Sequence, residues 1–270
     1  MARFDGKVAL VTGSTQGLGE AVARRFAAEG AAGIVVCGRN ADRGEAVAAS
    51  LADSGTEAVF LPVELGDLDR VAALVAAADA RFGRIDILVN SGASTARGTI
   101  LDTTPELWDR IIDVNLRAPF FLIQAVARIM RREGIAGSVV NIGSVSAHGS
   151  VPILAPYAIS KGALLPLTRN AAFALSRDRI RINTLNIGWM DTPAEDMTQR
   201  EYHGAPDDWL ATAEAGMPFG RILKPDEVAK AVAFLASDDS GMMTGAVIDF
   251  DQSVIGAGLQ PILPPEEVPQ

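Results

Sequence analysis

The sequence predicts an α/β fold built as a doubly wound, seven-stranded parallel sheet with helices on both faces. Three observations carry this reading. Short runs rich in Val, Ile and Leu recur without strict polar alternation, as strands buried on both faces do. Helical windows separate these runs, and strand–helix alternation builds βαβ units. The glycine-rich stretch TGSTQGLG at 12–19 lies between the first strand and the first helix, where such folds receive a phosphate group.

Taken in order, strands are expected at 7–13, 33–38, 57–63, 85–90, 138–143, 181–186 and 246–251, and helices at 18–29, 41–53, 67–82, 105–132, 155–176 and 225–237. The segment VAALVAAADARFG at 71–83 is Ala-rich with apolar residues at helical spacing, and Gly83 follows as a stop. Asp67 and Pro225 are suited to starting helices. Pro166 falls inside the 155–176 window. An interior proline removes a backbone hydrogen bond at a cost of ~3 kcal/mol, so a kink is expected there. Residues 190–220 interrupt the alternation with Met, Trp, Pro and Gly and read as a partly helical excursion that covers a site. No linker or fixed-period repeat divides the chain, so 1–255 reads as one domain. The Pro-rich, acidic segment 256–270 is a loose terminus or a strap over a neighbouring subunit.

Composition narrows the function. The chain has 270 residues, 49% of them hydrophobic and 21% charged, which suits a globular protein with a sizeable core. A net charge of -9 argues against nucleic-acid and anionic-membrane partners. No uninterrupted apolar run of ~18 residues marks a transmembrane helix. The start, MARFDGKVALVTG, lacks a signal-peptide pattern, so a cytoplasmic location is expected. Cys37 is the single cysteine and sits in an apolar run, where a buried, inert thiol is expected. With only His148 and His203 besides, no zinc-ligand cluster is expected, and no spacing suggests another metal.

Two local patterns carry chemistry. Gly13, Gly17 and Gly19 allow a tight turn, close approach of a pyrophosphate and tight packing of helix on strand, although their G-x-x-x-G-x-G spacing is not the usual dinucleotide fingerprint. Tyr157 and Lys161, in PYAISKGAL, are one helical turn apart and share a helix face. A lysine beside a phenol favours the phenolate and would tune Tyr157 for proton transfer near neutral pH. Ser144 lies thirteen residues before Tyr157.

Together with Asn90, Gly92 and Ala93 in VNSGA and Asn115 in DVNL, these motifs make the chain resemble the short-chain dehydrogenase/reductase superfamily over about residues 5–251. The resemblance implies a Rossmann-like fold and a nicotinamide-dependent oxidoreductase that interconverts a secondary alcohol and a ketone. It implies Tyr157 as acid/base, Lys161 as holder of the nicotinamide ribose, Ser144 as the group orienting the reacting oxygen, and Asn115 as holder of a relay water. Cofactor contacts are implied at Gly13, Ser14, Thr15, Gln16, Gly17, Leu18 and Gly19 in the cradle. Beyond the cradle they are implied at Arg39, Glu64, Leu65, Asn90, Gly92, Tyr157, Lys161, Gly188 and Thr192.

Arg39 lies twenty residues past Gly19, and Gly38 stands where an acidic ribose-binding residue would be expected. An arginine fork suits a 2′-phosphate, so NADP(H) is favoured over NAD(H). Departures from the family pattern are Ser91 for a second Asn, Ile187 for a Pro, and Gln252–Ser253 for Gly-Gly. His148, four residues after Ser144, is a candidate substrate contact. The expected partner is a small-molecule alcohol or ketone, either a sugar or polyol or a 3-oxoacyl compound; the acidic balance disfavours an acidic carrier protein. Apolar residues on the helices at 105–132 and 155–176, with the family resemblance, imply a homotetramer. The alternative is a non-catalytic dinucleotide-binding sensor or scaffold, against which stands the retention of both Tyr157 and Lys161.

Overall fold

The computed structural model describes residues 2–255; the segment 256–270 lies outside the described residues. Seven strands form one sheet in the order β3-β2-β1-β4-β5-β6-β7, every neighbouring pair parallel. They are β1 (Val8–Thr12), β2 (Gly33–Gly38), β3 (Glu57–Pro62), β4 (Ile87–Asn90), β5 (Ser138–Ser144), β6 (Arg181–Ile187) and β7 (Val247–Phe250). Helices α1 (Gly17–Ala28), α2 (Ala41–Asp53) and α3 (Leu68–Phe82) follow the first three strands. After β4 come α4 (Pro105–Ile112), a π-helical turn at Asp113–Arg117, and α5 (Ala118–Arg132). Then α6 (Ala155–Leu175) follows β5, and the excursion after β6 holds α7 (Pro193–Met197), a π-helical turn at Thr198–Tyr202, and α8 (Trp209–Ala215). The last helix, α9 (Pro225–Ala236), leads to β7.

Side-chain alternation along the strands explains the two-sided burial. Ala9, Val11, Ile34 and Val36 face a core layer with Val22 and Phe26 of α1, Leu51 of α2 and Val232 of α9. Leu10, Val35, Cys37 and Leu88 face the opposite layer with Leu74 of α3, Val126 and Met130 of α5, and Ala172 of α6. The five inner strands β2, β1, β4, β5 and β6 therefore bury both pleat faces and show no polar alternation, whereas the edge strands β3 and β7 are partly exposed. Burial holds Cys37 as a thiol by pushing its pKa up to about 12.

The helix signals sit where the sequence put them. Asp67 caps α3, accepting from the N–H groups of Asp69 and Arg70, and Gly83 ends it in the left-handed region at φ 69°. Pro225 opens α9. One helical window is corrected: 105–132 is two helices joined by a π-turn at Asn115. Helix α6 runs through Pro166 to Leu175 as one assigned helix.

The chain leaves β1 toward β2 and β3, then crosses back to place β4 on the other side of β1. This reversal opens a crevice at the carboxyl ends of β1 and β4, the place where doubly wound sheets bind ligands.

Candidate active site

At the crevice the ends of β1 and β4 touch. Gly13 adopts φ 67°, and a Cβ there would lie 2.7 Å from Gly92 Cα. Only glycine combines that backbone conformation with that approach. Thr12 Oγ1 joins the two strand ends by accepting from the N–H groups of Ser91 and Gly92, each at 3.0 Å. The bonds use main-chain donors, so Ser91 changes nothing in this joint. Ser14 ties the turn to β2: its Oγ donates to Val11 O at 2.6 Å and accepts from Cys37 N at 3.0 Å. Gln16 precedes α1 without capping it, its Oε1 accepting instead from Arg43 Nη1 at 2.7 Å. The first N–H groups of α1 thus remain available to an anion. Leu18 and Gly19 are buried in the first turn of α1, and Thr192 packs toward Gly17, its Cγ2 3.6 Å from where a Gly17 Cβ would be.

The turn after β2 has no room for a side chain at position 38, so an acid is excluded there. A Cβ on Gly38 would lie 2.8 Å from Thr15 Cγ2. The Arg39 side chain is 80% exposed and only 3.9 Å from Glu64 Oε2, a surface ion pair of little strength. Leu65 covers Gly92, its Cδ1 2.5 Å from an added Cβ.

The catalytic candidates converge beside the cradle. Ser144 ends β5, accepts from Ser146 N at 3.1 Å, and lies close enough to the Tyr157 phenol to lower its pKa. Lys161 is buried at 4% exposure, and its Nζ donates to Ile142 O at 2.7 Å. That ammonium stands 5.8 Å from the Tyr157 ring centroid. The Tyr157 phenol is shifted upward overall, with burial as the largest cause and Lys161 not among the causes. Burial raises the Tyr157 pKa above the ordinary tyrosine value, Ser144 lowers it, the Glu195 charge raises it and the Arg97 charge lowers it. Burial likewise lowers Lys161 to about 8. Desolvation outweighs attraction at this separation.

Asn115 is a satisfied amide. Its Oδ1 accepts from Ser94 N at 2.7 Å, while its Nδ2 donates to Ser94 O at 2.9 Å and Ser160 Oγ at 3.0 Å. Both Nδ2 hydrogens are used, and Oδ1 keeps one acceptor site. Gly188 N donates to Phe250 O at 3.3 Å, and Thr192 caps α7 by accepting from Glu195 N at 3.1 Å. His148 Nε2 pairs with Asp249 Oδ1 at 2.9 Å. Gln252 replaces a small residue to a purpose: its Oε1 accepts from Phe219 N and its Nε2 donates to Arg221 O, pinning the end of the excursion.

Sequence reading missed two sets of residues. The first is a buried polar chain: Asn90 Nδ2 donates to Asn141 Oδ1 at 2.8 Å, Asn141 Nδ2 donates to Thr168 Oγ1 at 3.0 Å, and Thr168 pairs with Thr184 at 2.6 Å. Its signal was three polar residues in register across β4, β5 and β6, Asn90, Asn141 and Thr184. The second is Arg97 and Glu195, charged groups close enough to Tyr157 to move its pKa. Arg97 comes from the loop after β4 and Glu195 from α7, and no spacing links them.

A dinucleotide fits these residues. The Gly13–Gly92 joint, the free start of α1, the unpaired buried Asn90 Oδ1 and the buried Lys161 ammonium all face the needs of a phosphorylated, hydroxyl-rich ligand.

The comparisons agree with this geometry. The family model described as enoyl-(acyl carrier protein) reductase matches residues 13–253. Cis-4-hydroxycyclohexanecarboxylate dehydrogenase of Sinomonas cyclohexanicum is 35% identical over 249 residues, covering 92% of this chain and 96% of that protein. NADP-dependent (R)-specific alcohol dehydrogenase of Lentilactobacillus kefiri is 34% identical over 247 residues, covering 90% and 94%. The structure of F189W actinorhodin polyketide ketoreductase with NADPH aligns with a TM-score of 0.85 at 30% identity, covering 93% of this chain and 98% of that one. The chain, with its parallel sheet, its glycine cradle and a Ser144–Tyr157–Lys161 cluster beside it, belongs to the short-chain dehydrogenase/reductase family of oxidoreductases that act on alcohols and ketones.

Proposed function

We propose that the protein is an NADP(H)-dependent oxidoreductase that interconverts a secondary alcohol and a ketone, with Tyr157 as the acid/base. The observation that carries this reading is the convergence of Ser144 and the buried Lys161 ammonium on the Tyr157 phenol, Lys161 Nζ standing 5.8 Å from its ring centroid. In alcohol oxidation, Tyr157 Oη takes the hydroxyl proton while Ser144 holds the reacting oxygen. Reduction runs the same transfers backward, the phenol giving its proton to the carbonyl oxygen. Bound in the crevice, the nicotinamide accepts or supplies the hydride at the carbinol carbon.

The other residues position and neutralise. Main-chain groups of Gly13, Ser14, Thr15, Gln16, Gly17, Leu18 and Gly19 cradle the pyrophosphate. Arg39 takes the 2′-phosphate, with an acid excluded at Gly38. Glu64 and Leu65 border the adenine, and Asn90 and Gly92 line the floor. Lys161 holds the nicotinamide ribose, and Gly188 and Thr192 hold the carboxamide. With both Asn115 Nδ2 hydrogens in use, a relay water is held by the main chain of its π-turn, a break in the helical ladder of a kind common at functional sites. The excursion at 190–220 closes over the substrate; stacked Trp189 and Trp209, with ring centroids 6.0 Å apart, form its apolar wall.

Relatives named for a hydroxycyclohexanecarboxylate and for a 3β-hydroxysteroid favour a ring-borne secondary alcohol. The net charge of -9 disfavours docking of an acidic carrier. Exposed Trp108, Phe120, Ile159 and Phe173 on α4, α5 and α6 are the surface through which four copies assemble. Sedimentation at micromolar protein reads a tetramer if this holds and a monomer if it does not.

A cofactor and substrate screen tests the function. NADPH should bind about 10-fold tighter than NADH, with the advantage lost in Arg39→Ala, as expected for a charge-assisted pair. Cyclic secondary alcohols should reduce NADP⁺. Equal affinity for both cofactors would remove the Arg39 role, and no turnover across the alcohol and ketone panels would remove the enzymatic one.

A further inference from the structure

Arg97 is a cation for which proton and hydride transfer have no use. Its loop is held at both ends. Ser94 is bonded through N–H and C=O to the Asn115 amide at 2.7 and 2.9 Å. Gly98 N donates to Ile153 O at 2.9 Å and Gly98 O accepts from Ala155 N at 3.1 Å. Ala155 is two residues before Tyr157, so this clamp sets Arg97 beside the phenol, whose ionisation its charge favours. The guanidinium is underused there. Its Nη1 donates to Thr95 O, its Nη2 lies 3.5 Å from His203 Nε2, and its Nε is buried without a partner. Neither of those partners is an anion.

Glu195 is the other charged group that acts on the phenol, raising the pKa that Arg97 lowers. It is kept in place by Trp189 Nε1 and Gln199 Nε2, each donating to its Oε1 at 2.7 Å. Among the described residues no carboxylate pairs with Arg97, so an anionic substrate end is drawn toward Arg97 and away from Glu195.

We propose that Arg97 reads a carboxylate carried by the substrate, so that a small hydroxy acid or oxo acid binds with its reacting oxygen at Tyr157 and its carboxylate on the guanidinium. A planar guanidinium matches a carboxylate with two parallel hydrogen bonds. The 3.5 Å contact to the His203 ring is at the limit of a hydrogen bond and yields readily to that pair. Glu195 repels an anion and so favours the pose that places the carboxylate on Arg97. The assignment rests on the oxidoreductase reading, because it takes Tyr157 as the place of reaction.

Binding without turnover separates the two. Cyclohexanecarboxylate and cyclohexanecarboxamide, neither bearing a reacting hydroxyl, are titrated calorimetrically into the protein–NADP⁺ complex. The comparison uses wild type, Arg97→Gln and Arg97→Lys. Wild type should bind the acid about 10- to 100-fold tighter than the amide, as a bond to a charged group implies. Arg97→Gln should remove that preference and Arg97→Lys should keep part of it, with NADP⁺ affinity unchanged in both as the control for folding. No measurable binding of the acid, equal binding of acid and amide by wild type, or a preference that survives in Arg97→Gln would overturn the assignment. Alcohol turnover that persists beside such a result leaves the oxidoreductase reading intact. Carboxylate preference in a protein whose turnover ignores Tyr157→Phe removes that reading instead.

Discussion

Lys161 shows how far one residue departs from what helical spacing suggests. Spacing alone makes it a neighbour that lowers the phenol pKa, yet burial controls both groups. Its own pKa falls from 10.5 to about 8, so the unfolded chain binds its proton more strongly than the folded one. Folded stability is therefore free of this penalty above pH 10.5, and loses about 3 kcal/mol as the pH falls through 8. Compared with Lys161→Met, cofactor-free wild type should gain stability between pH 8 and 10.5 in urea unfolding. A stability difference that stays flat across that window would show that the ammonium is not buried at its cost. Bound cofactor that accepts hydrogen bonds from Nζ should flatten the same difference, because it favours the charged form.

At the scale of elements, the sequence was most readable where one residue does one local job. Asp67, Gly83 and Pro225 mark helix ends by capping chemistry, and the strands declare themselves as two-sided apolar runs. The π-turn inside 105–132 was not readable, because Asn115 is drawn into it by bonds to Ser94 and Ser160, partners far away in the chain. Those bonds join the loop after β4, the start of α5 and the helix carrying Tyr157. Asn115→Leu should strand the Ser94 groups and cost about 3 kcal/mol in denaturant unfolding, and should loosen Arg97 and Tyr157 together. A variant as stable as wild type would mean that the joint holds nothing. The polar chain from Asn90 to Thr184 was hidden for a related reason: each residue reads as an isolated polar position until the sheet register aligns them.

For the whole molecule, strand order and crevice follow from the βαβ alternation, and motif order along the chain anticipated which residues meet at the crevice. Ser144, Tyr157 and Lys161 come from the end of β5 and the first turns of α6, so a short connection brings them together and makes them legible. Arg97 on a loop and Glu195 on α7, 98 residues apart in number, act on the same phenol, and only folding reveals them. The molecule thus divides into a cofactor half whose residues are written as motifs and a substrate half whose residues are not. The claim that joins the halves is that Tyr157 moves the proton. Its most direct test is single-turnover oxidation of a cyclic secondary alcohol by wild type and Tyr157→Phe, each saturated with NADP⁺. The variant should bind NADP⁺ as wild type does and reduce it about 10³-fold more slowly, the range of a lost general acid/base; equal rates in the two proteins would contradict the account.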